Sequence, residues 1–247
     1  MLAAMALTAA LTIQAGVCAG EMTTVDLSAA DAGNPAESWQ RTDSGIRISQ
    51  PGEYLISGKL ENGQIWVDCA EDGKVILYLN GAEIHNPTGP AIQIGNCTPR
   101  AEISLVEGSE NRLSNGASLI LDEKEEPDGV IFSRSDLTLD GSGRLEITAG
   151  AMNGIVSRDD LKIKGGEIVI EGPNHGIKGK DCVEIFGGTL RIRTGRDGIK
   201  ATNKKDADRG YIDISGGEIH IACGDEALSY TTTCRVTGGS LELEAQK

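Results

Sequence analysis

The sequence predicts an all-β fold: a right-handed parallel β-helix, or solenoid, with coils of about 22 residues. Three observations carry this expectation. Gly-Gly pairs recur at Gly165-Gly166, Gly187-Gly188, Gly216-Gly217 and Gly238-Gly239, at intervals of 22, 29 and 22. Short alternating segments flank every pair: LKIKGG, VEIFGG, IDISGG and RVTGG before, EIVIEG, TLRIRTG, EIHIACG and SLELE after. No stretch stands out with the 3.6-residue period of a helix.

Strict alternation buries one face of a strand. A period this short leaves no room for a helix, so each repeat reads as one coil stacked on the last. The spacing between stacked strands is about 4.8 Å, and like residues then form ladders. Leu161, Val183, Ile212 and Cys234 fall on one inward position. Ile168, Leu190, Ile219 and Leu241 fall on a second, and Ile170, Ile192 and Ile221 on a third. The right hand follows the crossover preference of parallel strands. Glycine at the corners supplies the positive φ that tight turns need. Ser142-Gly143 is a weaker member of the series, and the long interval contains the insertion TNKKDADRGY. A β-sandwich would share the turn spacing but would not hold one register over several cycles.

Residues 1–19 carry no charge and end Val17-Cys18-Ala19, a small-x-small cleavage pattern, so they read as a secretion signal. The expected location is secreted or at the cell surface, with no membrane insertion once the signal is removed. Lipoprotein anchoring at Cys18 ranks lower, because Val17 suits lipidation poorly. Residues 20–43, rich in Ala, Asp and Ser, read as a tether or cap. Residues 44–247 read as a single β-helix domain. Its first half is less regular but strand-like: GIRIS, GEYLISG, GQIWVDC, KVILYLNGAEI, AIQI, AEISLVEG, SLILDE and DLTLDGSGRLEITAG.

The net charge of −14 disfavours nucleic acid, whose phosphates want a basic face. Aromatics make up 3% of the chain, so the core must be aliphatic. Beyond Cys18 there are Cys69, Cys97, Cys182, Cys223 and Cys234, an odd number that leaves at least one thiol free or paired between chains. Their pairing is open, and no CxxC points to zinc.

Aligned on Gly-Ile, the preceding residues are Asn153, His175 and Asp197, with Asp128 opening the series and Glu226 closing it. One residue earlier lie Asn174, Arg196 and Asp225. Stacking would bring these side chains to one corner, with Asp206 and Asp208 of the insertion beside Asp197. Calcium takes six to eight oxygen ligands of this kind. The same residues also suit turn hydrogen bonds, though the oxygen-ligand reading is preferred. A second acidic row, Asp136, Asp160 and Asp181 with Asp159, reads better as a hydrogen-bonded strand edge. Lys178 and Lys200 stack after the Gly-Ile pairs, and Arg191 and Arg193 flank inward Ile192. These four could hold uronate carboxylates, Arg bidentately, or simply balance nearby Glu. Trp66 alternates with Ile65 and Val67 and so points outward, and Tyr230 follows the Glu226 corner; either is a candidate sugar platform.

The chain resembles a bacterial carbohydrate-binding family with a pectate-lyase-like β-helix. The resemblance rests on GEYLISGKLENGQIWVD, KVILYLNGAEI, GPAIQI, EEPDGVIFSRSDLTLDGSGRLEI, NGIVSRDDLKIKGGEIVI, HGIKGKDCVEIFGGTLRI and DGIKATNKKDADRGYIDISGGEI, in that order. It implies calcium, here at Asp197, Asp225 and Glu226, and binding of cellulose or polygalacturonate-like polysaccharide. Asn153, His175 and Arg196 depart from the acidic pattern and imply fewer or weaker ions. Three functions follow: a secreted non-catalytic polysaccharide-binding module, which the sequence favours; a calcium-dependent polysaccharide lyase on the same scaffold; and a structural surface protein or adhesin. Self-association through an open β-helix end is expected as well.

Overall fold

The computed structural model describes residues 22–29, 38–69, 71, 73–95, 100–118 and 126–246. The expected secretion signal, Cys18 and Cys97 lie outside them. The irregular first part contains β1 (Thr23–Asp26), β2 (Trp39–Thr42), β3 (Gly45–Ile48), β4 (Gly52–Leu60) and β5 (Gln64–Val67). It continues with β6 (Val75–Asn86), β7 (Ile92–Ile94), β8 (Arg100–Leu105) and β9 (Glu110–Asn115). Strand triplets follow. The first two are β10 (Gly129–Ser133), β11 (Asp136–Gly141) and β12 (Arg144–Thr148), then β13 (Asn153–Ser157), β14 (Asp160–Ile163) and β15 (Glu167–Gly172). The third is β16 (Ile177–Gly179), β17 (Cys182–Ile185) and β18 (Thr189–Thr194). The fourth is β19 (Ile199–Ala201), β20 (Tyr211–Ile214) and β21 (Glu218–Cys223), and the last is β22 (Leu228–Ser229), β23 (Cys234–Val236) and β24 (Ser240–Ala245).

The fold is all-β, with no helix among the described residues. Strands of a triplet pair with the corresponding strands of the next, always in parallel. One column is a nine-stranded sheet running β2-β3-β5-β7-β10-β13-β16-β19-β22. The other two belong to a 15-stranded sheet and meet at β6, which pairs with both β8 and β9. Among the described residues only β2 and β3 pair antiparallel. The expected tether or cap contributes β1 and β2 to these sheets, and Val25, Leu27 and Trp39 are buried.

The inward ladders follow the expected register: Leu161, Val183, Ile212 and Cys234 pair in succession, as do Ile168, Leu190, Ile219 and Leu241. These positions join one aliphatic core. Burial of each Ile, Leu or Val side chain contributes roughly 1.5–3 kcal/mol. At each Gly-Gly corner the second glycine has positive φ, as at Gly188 (+90°) and Gly217 (+98°). A Cβ at Gly188 would lie 2.8 Å from the Gly166 carbonyl oxygen, so space and φ both demand glycine. The Ser142-Gly143 corner differs: its positive φ sits at Gly141, where the Asp140 carboxylate accepts the glycine N–H.

The insertion occupies Thr202 to Gly210, between β19 and β20, where Lys180 and Asp181 alone connect β16 to β17. Cys69 is buried, Cys182 and Cys223 are buried free thiols, and Cys234 is a free thiol at intermediate exposure.

Candidate functional site

The corner entering the nine-stranded sheet gathers Asp128, Asn153, His175, Asp197 and Glu226, as alignment on Gly-Ile implies. The parallel register places these residues on neighbouring coils, and their side chains join the coils. Asn153 Nδ2 donates to the Asp128 carbonyl at 2.8 Å and to its carboxylate at 3.1 Å. Asn153 Oδ1 accepts the His175 amide at 3.1 Å, and His175 Nδ1 accepts the Asp197 amide at 3.2 Å. Asp197 Oδ1 accepts the Glu226 amide at 3.0 Å. Three different side-chain types thus perform one task, bridging each coil to the next through its backbone N–H.

Lysines complete the corner. Lys178 Nζ binds Asp128 Oδ2 at 2.8 Å, and Lys200 Nζ binds Asp197 Oδ2 at 2.5 Å. Burial alone would raise the Asp197 pKa. The Lys200 and Glu226 hydrogen bonds outweigh it and hold the carboxyl below its ordinary value. Burial and the nearby Lys200 push His175 down to about 4, so it is neutral at pH 7. Its Nδ1 lies 3.3 Å from Asp197 Oδ2, but that nitrogen accepts an amide hydrogen, so the approach is not an ion pair.

This geometry bears on three expectations. Both Asp197 oxygens bind the protein's own donors, so hydrogen bonds hold that carboxylate without a metal, while Asp128 keeps one buried oxygen, Oδ1, with no hydrogen-bond partner among the described residues. Glu226 contributes its amide to the ladder and its side chain is exposed, while the Asp225 amide lies 3.4 Å from the Arg196 carbonyl. Lys178 and Lys200 do stack in register, but each is engaged by a carboxylate and does not form a free basic stripe. Asp206 and Asp208 do not lie beside Asp197. Their loop leaves the far end of β19 and folds over Asp160 and Asp181 through Arg209 Nη1–Asp160 (2.9 Å) and Asn203 Nδ2–Asp181 (2.8 Å). Asp206 accepts the Asp208 amide, and both residues are exposed.

The second acidic row is where carboxylates converge. One ligand oxygen each from Asp136, Asp159 and Asp160 lie within 4.8 Å of one another. Burial and then Asp160 raise the Asp136 pKa. Burial, then Asp136, Asp181 and Asp160, raise that of Asp159. Arg209, from the insertion, brings a guanidinium onto Asp160, and Arg100 pairs in register with Asp136 on the neighbouring strand. Sequence reasoning took the insertion as a source of ligands and missed it as a source of a cation; its Arg-Gly ending was the available signal.

The third feature is the outward face of β15, β18, β21 and β24. Val169, Arg191, His220 and Glu242 pair in one row across the strands, and Glu171, Arg193, Ala222 and Glu244 in the next. They line a shallow groove. Arg191 is half exposed and Arg193 more so, and each touches one glutamate at 3.4 and 3.2 Å. His220 was not singled out from sequence. Glu218 and then Glu242 raise its pKa, through bonds of 2.8 and 2.7 Å to its two ring nitrogens. Trp66 points outward as expected, with the Arg47 guanidinium 5.0 Å from its ring centre. Tyr230 is half exposed but lies past Ser229, at the opposite end of β22 from Glu226.

The sequence matches the family of carbohydrate-binding domain-containing proteins over residues 42–247. The chain belongs to this family. A carbohydrate-binding domain-containing protein of Acetivibrio thermocellus is 38% identical over 200 residues, which are 80% of this chain and 70% of that protein. A solved structure described as a polysaccharide lyase-like protein from C. thermocellum, in a gadolinium derivative, superimposes with a TM-score of 0.78 at 31% identity. The superposition covers 90% of this carbohydrate-binding domain protein and 93% of that chain. A Shouchella clausii protein named protein nucleotidyltransferase YdiU is 29% identical over 119 residues, 45% of this chain and 24% of that protein. An overlap that short bears on no activity.

Proposed function

We propose that this member of the carbohydrate-binding family is an exported, non-catalytic module that binds acidic polysaccharide across its coils. Its strand triplets are read as coils of about 22 residues in a right-handed β-helix, on the Gly-Gly intervals and the parallel register. The single observation that carries the ligand assignment is the outward pair Arg191 and Arg193 on β18, with His220 beside Arg191 on β21. Adjacent strands set Arg191 and His220 about 4.8 Å apart, and Arg191 and Arg193 stand roughly 6.6 Å apart along one strand. A guanidinium recognises a carboxylate with two parallel hydrogen bonds, which suits a uronate polymer. Val169 and Ala222 keep the floor low enough for a chain to lie on it.

The calcium reading moves to Asp136, Asp159 and Asp160. Three carboxylates, two with raised pKa values, repel one another, and a divalent cation relieves that repulsion with hard oxygen ligands. Calcium there would fix the corner where the insertion crosses the acidic row.

The test is retention on insoluble polygalacturonate at low and high salt, with wild type and an Arg191→Ala/Arg193→Ala double variant. Wild type is retained at low salt and released by salt, since exposed charges are screened. Equal retention of the double variant refutes the proposed surface.

A further inference from the structure

His220 stands between two carboxylates on the groove face. On its own strand, β21, Glu218 Oε1 lies 2.8 Å from its Nε2. On β24, Glu242 Oε2 lies 2.7 Å from its Nδ1. An ionised carboxylate only accepts hydrogen bonds, and a neutral imidazole carries one N–H. Both contacts are therefore hydrogen bonds only when the ring is an imidazolium. The His220 bond in turn holds the Glu218 carboxyl below its ordinary value, so the proton sits on the ring. One protonated ring thus answers a carboxylate on each side of it.

The neighbouring strands make that single charge decisive. β18 sets Arg191 opposite His220 and Arg193 opposite Ala222. From β15, Glu167 lies 3.4 Å from Arg191 and Glu171 lies 3.2 Å from Arg193. Glu167 is also held by Arg144 of β12. β24 adds Glu244 to the groove beside Glu242. Arg191, Arg193 and a protonated His220 therefore face Glu171, Glu218, Glu242 and Glu244, so cations are outnumbered even then. When the ring loses a proton it donates to one glutamate and turns a lone pair towards the other. That glutamate then stands uncompensated beside Arg191, where an anionic ligand would lie.

We infer that His220 is a positioning residue that gates the Arg191–Arg193 groove: an anionic polymer is held while the imidazolium bridges Glu218 and Glu242, and is held less as rising pH opens the bridge. The inference rests on the acidic-polysaccharide reading above and adds the residue that sets its pH range. Glu218 and then Glu242 raise the His220 pKa above the ordinary 6.5. The bridge is therefore intact below the ordinary value and is lost as pH rises through the folded one. Carboxylates of the polymer stay ionised over that range, so the change belongs to the protein. His175, with its pKa of about 4, is already neutral there. His85, the remaining histidine, contacts Ser114 at 2.9 Å on β6, five strands from β21 in the same sheet.

Two measurements on the full chain test this. The ring C–H resonances of His220, assigned by their absence from His220→Gln, are followed by NMR from about pH 5 to about pH 9 without glycan. Retention on insoluble polygalacturonate is measured over the same range at low salt. The expected result is a His220 that titrates above 6.5 and a wild-type retention that falls about threefold or more through that titration, the scale of one exposed charge interaction. His220→Lys should keep the acid-side retention throughout, and His220→Gln the alkaline-side level throughout. Glu218→Gln/Glu242→Gln should move the His220 titration down towards its ordinary value and flatten the retention profile. A wild-type His220 that titrates at or below the ordinary value overturns the inference, whatever the chain binds. So does a retention that stays flat across a raised titration, which leaves the acidic-polysaccharide reading standing if Arg191→Ala/Arg193→Ala abolishes it. A wild type retained at no pH overturns both.

Discussion

Replacing Asp197 with alanine tests whether the entry corner is a hydrogen-bond ladder or a metal site. Asp197 is 4% exposed and accepts the Glu226 amide and the Lys200 ammonium. The substitution leaves a part-buried N–H without its acceptor, at a cost of about 1–3 kcal/mol. It also removes a charged partner from Lys200, whose side chain is 30% exposed and can turn to water, so this loss adds only about 1 kcal/mol. The sum, roughly 2–4 kcal/mol, lowers Tm by about 5–15 °C for a chain of this size. Asp197→Asn keeps an acceptor for Glu226 and should lose only about 1 kcal/mol, the Lys200 share. The assay is urea and thermal unfolding at pH 7, with calcium and with chelator. The ladder predicts the same loss in both. An Asp197→Ala protein within about 0.5 kcal/mol of wild type refutes the argument. A loss that disappears in chelator refutes it too, because it would make Asp197 a calcium ligand. Asp197 has a depressed pKa, so its contribution is present above the unfolded-state value and is lost as pH falls through the folded value.

Further outcomes follow from the same geometry. His175 has a folded pKa of about 4 against an ordinary 6.5, so its contribution is full above 6.5 and falls away between there and about 4. His175→Asn should keep the ladder, as Asn153 does one coil earlier, and flatten that part of the pH-stability curve; an unchanged curve contradicts the assignment. Asp159 has a raised pKa, so its contribution is present below the unfolded value and is lost as pH rises through the folded one. Asp159→Asn should therefore raise Tm at pH 7 without calcium and shrink any calcium-induced shift, as read by scanning calorimetry. Arg209→Ala removes the guanidinium held against Asp160 and should lower Tm in chelator, with calcium restoring most of the loss. Gly188→Ala combines an unfavourable φ with a backbone clash and should cost about 1–3 kcal/mol in chemical unfolding.

The strand columns were legible in the sequence because each inward position repeats with the Gly-Gly corners. Leu161 and Val183 announce their pairing by spacing alone. The entry corner was legible as a place but not as a chemistry. Spacing brings Asp128, Asn153, His175 and Asp197 together, yet amide acceptance is a property of rotamer and backbone direction that composition does not encode. The lysines were misread for a related reason: Lys178 reaches back two coils to Asp128, a contact between residues fifty apart. The insertion was misplaced because β19 is only three residues long, and sequence proximity to Asp197 hid the turn at its far end.

The zipper of side chains onto backbone amides has an evolutionary corollary. Its links are one residue deep, so an added residue at that corner would slide every rung out of step. The opposite corner carries no such constraint, and there the segment from Thr202 to Gly210 was accommodated without disturbing the pairing of β20 with β17. New loops, and any new specificity they bring, should therefore accumulate at the opposite corner or ahead of the first rung at Asp128, where thirteen residues separate β9 from β10 against four at each later coil.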